Sequence, residues 1–314
     1  MKKFLVFFGK PFIYAACFAI ILILFSVYVL LDAFVIPKVY AVIDDSISES
    51  ITKSESDSES DIIEKSDTEE QPAEPLITDM SYYDGNIYLK IEKFTENGVV
   101  LYVADLKLSD AKYLRTALAK DKFGKNITEK TSVMAERKNA VFAINGDYCG
   151  FNDNGVIMRN GQLLRENPRK KRCGLVIDRN GDLLIIDEKE LTAEKLKEIN
   201  AVQCFSFGPT LVVDGEININ ETGKSKDNNP RTAIGQIDAL HYIFIVVDGR
   251  TKTSKGIKFP ALAEEFKKRG CVTAYNLDGG GSATMWFNGK IVNSPTDGDY
   301  IGERKISDII YIGY

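Results

Sequence analysis

The sequence predicts an α+β head with a mixed β-sheet core and a few helices, preceded by one transmembrane helix and a disordered tether. Three observations lead there. Residues 11–31 contain no charge, residues 44–75 are serine and acid with few apolar side chains, and from about Tyr82 strand-like runs alternate with glycine turns and helical stretches. The expected organisation is an anchor with its flanks over residues 1–41, a linker over 42–80 and the head over 81–314.

The first run, PFIYAACFAIILILFSVYVLL, has the length that crosses a bilayer core, about 20 apolar residues. Lys2, Lys3 and Lys10 precede it, and positive charge keeps that end in the cytoplasm. The protein is then a single-pass cell-membrane protein with an extracytoplasmic C-terminal domain. A cleaved signal peptide is the rival, with small residues at Val39–Ala41 and a secreted head as its consequence. Signal cores of roughly 7–15 residues are shorter than this run.

Asp44–Pro75 lacks the apolar surface needed to offset its ordering entropy, so a disordered tether is expected. A flexible chain of about 35 residues spans on the order of 35 Å, which would stand the head clear of the membrane. The formal charge of −5 comes largely from this stretch and says little about the head's ligand. No basic run points to nucleic acid. Cys149, Cys173, Cys204 and Cys271 form no C-x-x-C pair, and buried free thiols are expected.

Within the head, NIYLKIEKF and GVVLYVADLKL flank TENG as a hairpin. SDAKYLRTALAKDKFG reads as a helix with Ser109 as N-cap and Gly124 beyond its end. TSVMAERKN and TAEKLKEIN read as short helices, and FPALAEEFKKRG as a longer one with Pro260 in its first turn and Gly270 as its stop. The rest reads as strands, several joined by Asn-Gly or Asp-Gly turns. Arg159-Asn160-Gly161 is taken as such a turn.

Three strongly apolar strands end in an acid or amide followed by glycine. They run into Asn145-Gly146-Asp147, Asp248-Gly249-Arg250 and Asp278-Gly279-Gly280. Strands apolar on both faces belong at the centre of a sheet, and ligand sites gather beyond the ends of central strands. DGGGSAT then stands out. Gly279, Gly280 and Gly281 tolerate positive φ, and their N–H groups could curl into a nest for an anion. Ser282 and Thr284 would add hydroxyls. Arg231 and Arg250 are candidates for a bidentate grip on phosphate oxygens. Each of these features also has an ordinary structural reading as a turn or surface ion pair.

The single histidine, His241, sits inside a strand, so a histidine-based triad is hard to build. Acid–base work falls to Asp147, Asp248 and Asp278, since two carboxylates flanking a glycosidic bond suffice for its hydrolysis. No residue set calls for a cofactor, and a divalent cation on the Asp-Gly ends is compatible with the pattern.

INGDYC, FGPTLVVDG, NPRTAIGQ, VVDGR and NLDGGGSATM, in this order, resemble the phosphodiester glycosidase family over about Tyr82–Tyr314. The resemblance implies hydrolysis of a sugar-1-phosphodiester and does not fix the roles residue by residue. The assignment expected here puts Arg231 and the 279–281 glycines on the phosphate, shares acid and base duties between Asp278 and Asp248, and gives sugar hydroxyls to Asn145 and Asp147, the latter a reserve carboxylate. Arg304 either closes the pocket or lies exposed on the surface. Cys149 stands where relatives often carry an aromatic residue. The anchor and tether look like those of surface proteins and point to a cell-envelope glycan or exopolysaccharide linkage as the substrate. A noncatalytic module binding anionic glycan is the alternative from another class.

Overall fold

The computed structural model describes residues 11–43, 74–223 and 227–314. The predicted tether falls almost wholly on residues 44–73, outside the described residues. Five helices are described: α1 (Pro11–Phe34), α2 (Thr131–Arg137), α3 (Ala193–Glu198), α4 (Ile219–Thr222) and α5 (Phe259–Lys268). Helix α1 is exposed along its length and apolar enough to cross a membrane.

The largest sheet has nine strands. Its centre runs Thr210–Val213, Thr273–Asn276, Arg231–Asp238, His241–Val247, Val99–Leu108 and Ile87–Glu96. The α+β class holds. Within this sheet every pairing is antiparallel, so what it mixes is chain position. Strand 273–276, for example, inserts between strands 210–213 and 231–238.

The apolar run of strand 241–247 shows why it is central. Tyr242, Phe244 and Val246 face one core, while Ile243, Ile245 and Val247 face another. The second core is closed by α5 through Leu262, Ala263 and Phe266, each large side chain contributing about 1.5–3 kcal/mol on full burial. Gly235 permits that approach, because a Cβ there would lie 2.7 Å from the Phe266 ring. Pro260 begins α5, and Gly270, at φ +80°, follows its end. The 87–108 hairpin turns at Asn97-Gly98, both at positive φ, as a tight hairpin demands.

A second sheet, in the order 290–291, 285–287, 142–145, 308–312 and 114–118, lies against the first core. A third gathers 162–167, 155–159, 201–205, 173–178 and 183–187. The head cysteines are all unpaired, as expected.

One helix expectation is overturned. Residues 109–124 form a 3₁₀ turn at Ala111–Tyr113, a strand Leu114–Leu118, a second turn and a strand Lys122–Lys125. Leu114, Ala117 and Leu118 fit a helical face, but Leu114, Thr116 and Leu118 also alternate as in a strand. Pairing with Ile309–Ile312, nearly two hundred residues on, decides the matter. No local window contains that information.

A further departure concerns the anchor's flank. Lys38–Val42 is a strand paired antiparallel with Lys122–Lys125, so the segment after α1 is part of the head rather than a loose end.

Candidate active site

The three strand ends singled out above meet. The Asp278 N–H donates to Gly146 O at 3.1 Å, and the Asn145 side-chain amide donates to Asp278 O at 2.7 Å. Asn145 Oδ1 accepts from the Thr232 hydroxyl at 2.7 Å and from the Thr284 N–H at 3.2 Å. Asn145 is wholly buried and ties three segments together, with its amide engaged at both ends. That geometry makes it a positioning residue and corrects the expectation that it binds sugar hydroxyls.

Two of the triplet's three N–H groups are engaged within the protein, which leaves the expected nest incomplete. The N–H of Gly279 donates to Asp278 Oδ1 at 2.9 Å, that of Gly280 to Pro230 O at 2.9 Å and that of Ser282 to Gly279 O at 3.2 Å. Those donors are already engaged. What the glycines provide is room. A Cβ on Gly279 would fall 2.6 Å from Pro230 O, one on Gly280 3.1 Å from an Arg250 guanidinium nitrogen, and one on Gly281 2.8 Å from the Arg304 guanidinium carbon. Two arginines thus come down onto bare backbone. Arg304 is held by Asp297, with Nε at 3.0 Å and Nη2 at 2.5 Å from Oδ1. Arg250, at φ +61°, donates to Asn229 Oδ1 at 3.2 Å.

Beside these cations lies the acid. Asp278 Oδ2 is buried and has no hydrogen-bond partner, and the same is true of Ser282 Oγ and Thr284 Oγ1. Buried polar atoms are rarely left unmatched, and three on one seven-residue turn mark where a polar ligand would bind. Burial pushes the Asp278 carboxyl above its ordinary range, against the facing Ser282 hydroxyl, the Gly279 N–H and Arg304. The Ser282 contact is close without full hydrogen-bond geometry.

Tyr148 completes this wall. Its pKa is pushed up to about 12 by burial and then by the Asp278 charge. Its ring stacks on Phe151 with centroids 4.0 Å apart and planes 9° from parallel. A φ of +60° turns it there, and Asp308 Oδ1 accepts its N–H at 3.1 Å.

The other predicted acids are turned inward. Asp147 is fully buried, with Oδ1 on Arg159 at 2.8 Å and Oδ2 accepting from the Ser206 N–H at 2.7 Å. Arg159 also reaches Asp308 Oδ2 at 2.8 Å and lies 4.0 Å over the Phe205 ring. Asp147 is therefore part of an internal ion cluster, which corrects its assignment as a reserve catalytic carboxylate or sugar ligand. Asp147, Cys149 and Asp308 bring potential metal-ligating atoms within 4.8 Å of one another, but Arg159 already bridges both carboxylates. A cation does not fit beside it.

Asp248 Oδ1 accepts from the Asn293 side chain at 3.0 Å and the Ser294 N–H at 2.9 Å. Asn293 in turn binds Ala283 O and the Met285 N–H, so Asp248 fastens the segment that leads from the glycine turn to Arg304. Burial raises its pKa, against those two hydrogen bonds. The geometry favours a holding role over the expected share in acid–base duty.

Arg231 is at the meeting point by its backbone, 3.4 Å from the Cβ position of Gly279. Its guanidinium lies 3.8 Å from the Phe259 ring and donates to Ile257 O. Burial and then Arg250 lower its pKa to about 10. The Arg231 guanidinium is thus turned onto Phe259, while Arg250 and Arg304 lie against the glycine turn. Tyr148 and Asp297 border the candidate site, Arg159 and Asp308 form the ion cluster behind it, and sequence reasoning gave none of the four a place there. Arg159 does precede the expected turn, at Asn160-Gly161, but nothing in that tripeptide signals burial.

A family model described as phosphodiester glycosidase matches residues 138–313, more than half of the chain. Among curated proteins, the SPbeta prophage-derived uncharacterized protein YomE of Bacillus subtilis (strain 168) is 33% identical over 202 residues, which cover 61% of this chain and 31% of that protein. The N-acetylglucosamine-1-phosphodiester alpha-N-acetylglucosaminidase of Bos taurus is 30% identical over 162 residues, 51% of this chain and 27% of that enzyme. The chain thus spans less than a third of the length of these relatives. Among solved structures, the catalytic domain of the zebrafish N-acetylglucosamine-1-phosphodiester alpha-N-acetylglucosaminidase superposes with a TM-score of 0.59 at 24% identity, covering 73% of this chain and 83% of that domain. A hypothetical protein from Synechocystis gives 0.53 at 14% identity, covering 72% and 62%. Both show a shared fold.

Proposed function

The chain belongs to the phosphodiester glycosidase family, and from that premise we propose that its head hydrolyses a glycosyl phosphodiester of the cell envelope, outside the cytoplasm. The products are a free sugar and a phosphomonoester. The observation that carries this reading is the set of unmatched buried atoms, Asp278 Oδ2, Ser282 Oγ and Thr284 Oγ1, beside two arginines drawn onto the glycine turn.

Breaking the bond between the anomeric carbon and the phosphate oxygen leaves a second negative charge on the phosphate. Arg250 and Arg304 are fixed before that charge develops, and preorganised charge of this kind lowers a barrier most effectively. Asp278 Oδ2 takes the proton from the attacking water, its raised affinity for protons suiting a base. The Tyr148–Phe151 stack offers an apolar platform for the sugar ring.

Anchoring by α1 supports action at the envelope. Full-length protein in detergent, incubated with UDP-N-acetylglucosamine and simple sugar-1-phosphodiesters, is expected to release free sugar. Tight binding of these compounds with no turnover would instead favour the noncatalytic glycan-binding module.

Gly281→Ala tests the cation placement. Its Cβ would lie 2.5 Å from Asp297 Oδ1 and 2.8 Å from the Arg304 guanidinium, forcing the pair to move. A displacement near 1 Å at a reacting group costs on the order of 100-fold. The expected result is a kcat/KM loss of that order with an unchanged unfolding midpoint. Full activity in this variant would remove Arg304 from the phosphate site.

A further inference from the structure

The junction between α1 and the head is built as a fixed joint. The Asn126 side-chain amide, from the turn after strand 122–125, donates to Ala33 O at 3.2 Å and Ile36 O at 3.1 Å. It thereby binds the carbonyls that the end of α1 leaves free, which otherwise need water or another donor. Strand 38–42 then lies along strand 122–125, and the Ile43 N–H continues the ladder to Asp121 O at 3.0 Å. Gly124 is required for this fit, since a Cβ there would sit 1.8 Å from Lys38 O. Tyr40 meets the Phe123 ring edge-on with centroids 6.2 Å apart.

The same joint touches the loop that follows Tyr148. A cavity of about 200 Å³ beneath strand 38–42 is lined by Tyr40, Phe123, Cys149, Gly150, Asn152 and Arg165, among others. Gly150 approaches so closely that a Cβ on it would lie 2.8 Å from Gly124 O, and Lys125 pairs with Asp153. Cys149, Gly150, Asn152 and Asp153 belong to the loop that begins at Tyr148, beside Asp278, and carries Phe151 as an exposed ring on Tyr148. The route from the end of α1 to this loop is short. Tyr40 is six residues on from Phe34, and an extended chain covers at most about 3.6 Å per residue, so Tyr40 stands within roughly 22 Å of the end of α1. Phe34, Val35, Val39 and Val42 are exposed apolar side chains along this route, with Lys122 exposed beside them. Exposed apolar side chains of this kind suit the interface of a membrane.

We propose that the joint holds the cleft at the bilayer surface and that the substrate is a lipid-borne glycosyl phosphodiester, presented by the same membrane that holds α1. The inference rests on the hydrolytic reading above and extends it to the aglycone, which is a membrane lipid rather than a soluble alcohol. The reaction is the same hydrolysis: water supplies the hydroxyl to the sugar, and the lipid retains the phosphate as a monoester.

The test uses the full chain reconstituted in vesicles. Two substrates share one sugar-1-phosphodiester head, one with a long-chain lipid aglycone in the same bilayer and one with a soluble glycerol aglycone. The second protein is the Val39→Pro, Asn126→Gly double variant. Proline removes a strand N–H, and glycine keeps the positive φ of Asn126 while deleting its side chain. Confinement near the substrate raises effective concentration strongly, so the variant is expected to lose at least about tenfold on the lipid substrate while releasing sugar from the soluble one at the wild-type rate. Retained soluble activity shows that the variant is folded. Equal rates of wild type and variant on the lipid substrate would overturn the inference and leave the hydrolytic reading standing. Release from neither substrate by wild type would overturn both.

Discussion

Arg159→Met is expected to lower the free energy of unfolding by roughly 3–5 kcal/mol, the usual cost of leaving a buried charge without its partner. Arg159 is 1% exposed, and one nitrogen sits 2.8 Å from both Asp147 Oδ1 and Asp308 Oδ2. Another donates to Met158 O at 3.0 Å and Cys204 O at 2.5 Å. Methionine fills similar volume and keeps contact with the Phe205 ring, so the loss isolates charge and hydrogen bonding. Even with arginine present, burial and the Asp147 charge push the Asp308 pKa up to about 6. A carboxyl whose folded pKa is raised binds its proton more tightly in the folded state, so the stability it confers is present at low pH and lost as pH rises through that value. Removing Arg159 strengthens this trend. The urea midpoint of the variant is expected to fall furthest below wild type at neutral pH and to recover part of the gap near pH 5. Adding Asp147→Asn and Asp308→Asn should restore part of the loss, because a neutral cluster no longer needs the cation. A wild-type midpoint for Arg159→Met would show that the cluster contributes nothing to folding.

The parts of the fold legible in the sequence were those encoded locally. Helix α5 declares itself through Pro260, Gly270 and the Leu262–Phe266 spacing, and the 87–108 hairpin through Asn97-Gly98. The central strands are visible as unbroken apolar runs because each buries both faces. Residues 109–124 were misread as helical because their spacing satisfies two periodicities, and only the Asp308–Ile312 strand, far along the chain, selects one. The α1 joint was hidden for the same reason. Lys38–Val42 has no local mark of pairing, and the glycine that admits it, Gly124, is in the distant strand.

The site was legible as a location and less so as a set of roles. Apolar strands ending in acid-glycine or amide-glycine indicated that 145–147, 248–250 and 278–280 meet, and they do. Sequence cannot say which way a carboxylate points at a strand end. Asp147 and Asp278 are both aspartates next to glycine, yet one enters an ion cluster with Arg159 and the other leaves an oxygen unmatched beside Arg304. Likewise the triple glycine signalled close approach, but what approaches is arginine side chains and Pro230 O.

Asp278→Asn is expected to reduce kcat by about 10²–10⁴-fold, the span typical for removal of a general base. The amide oxygen still accepts the Gly279 N–H that now reaches Oδ1 at 2.9 Å, so the turn, the arginines and substrate binding should persist with KM little changed. In the wild type, only the ionised carboxylate takes a proton from water. Burial raises the Asp278 pKa above its ordinary 3.8, so kcat/KM should fall with decreasing pH along a limb centred above that value. The residual activity of Asp278→Asn should lack this limb. Asp248→Asn is the contrasting case. Its oxygen keeps the Asn293 and Ser294 hydrogen bonds, and burial favours the neutral form, so activity should fall by less than about tenfold. If Asp248→Asn abolishes turnover while Asp278→Asn retains it together with the acid limb, the base is Asp248, and the unmatched oxygen of Asp278 serves binding alone.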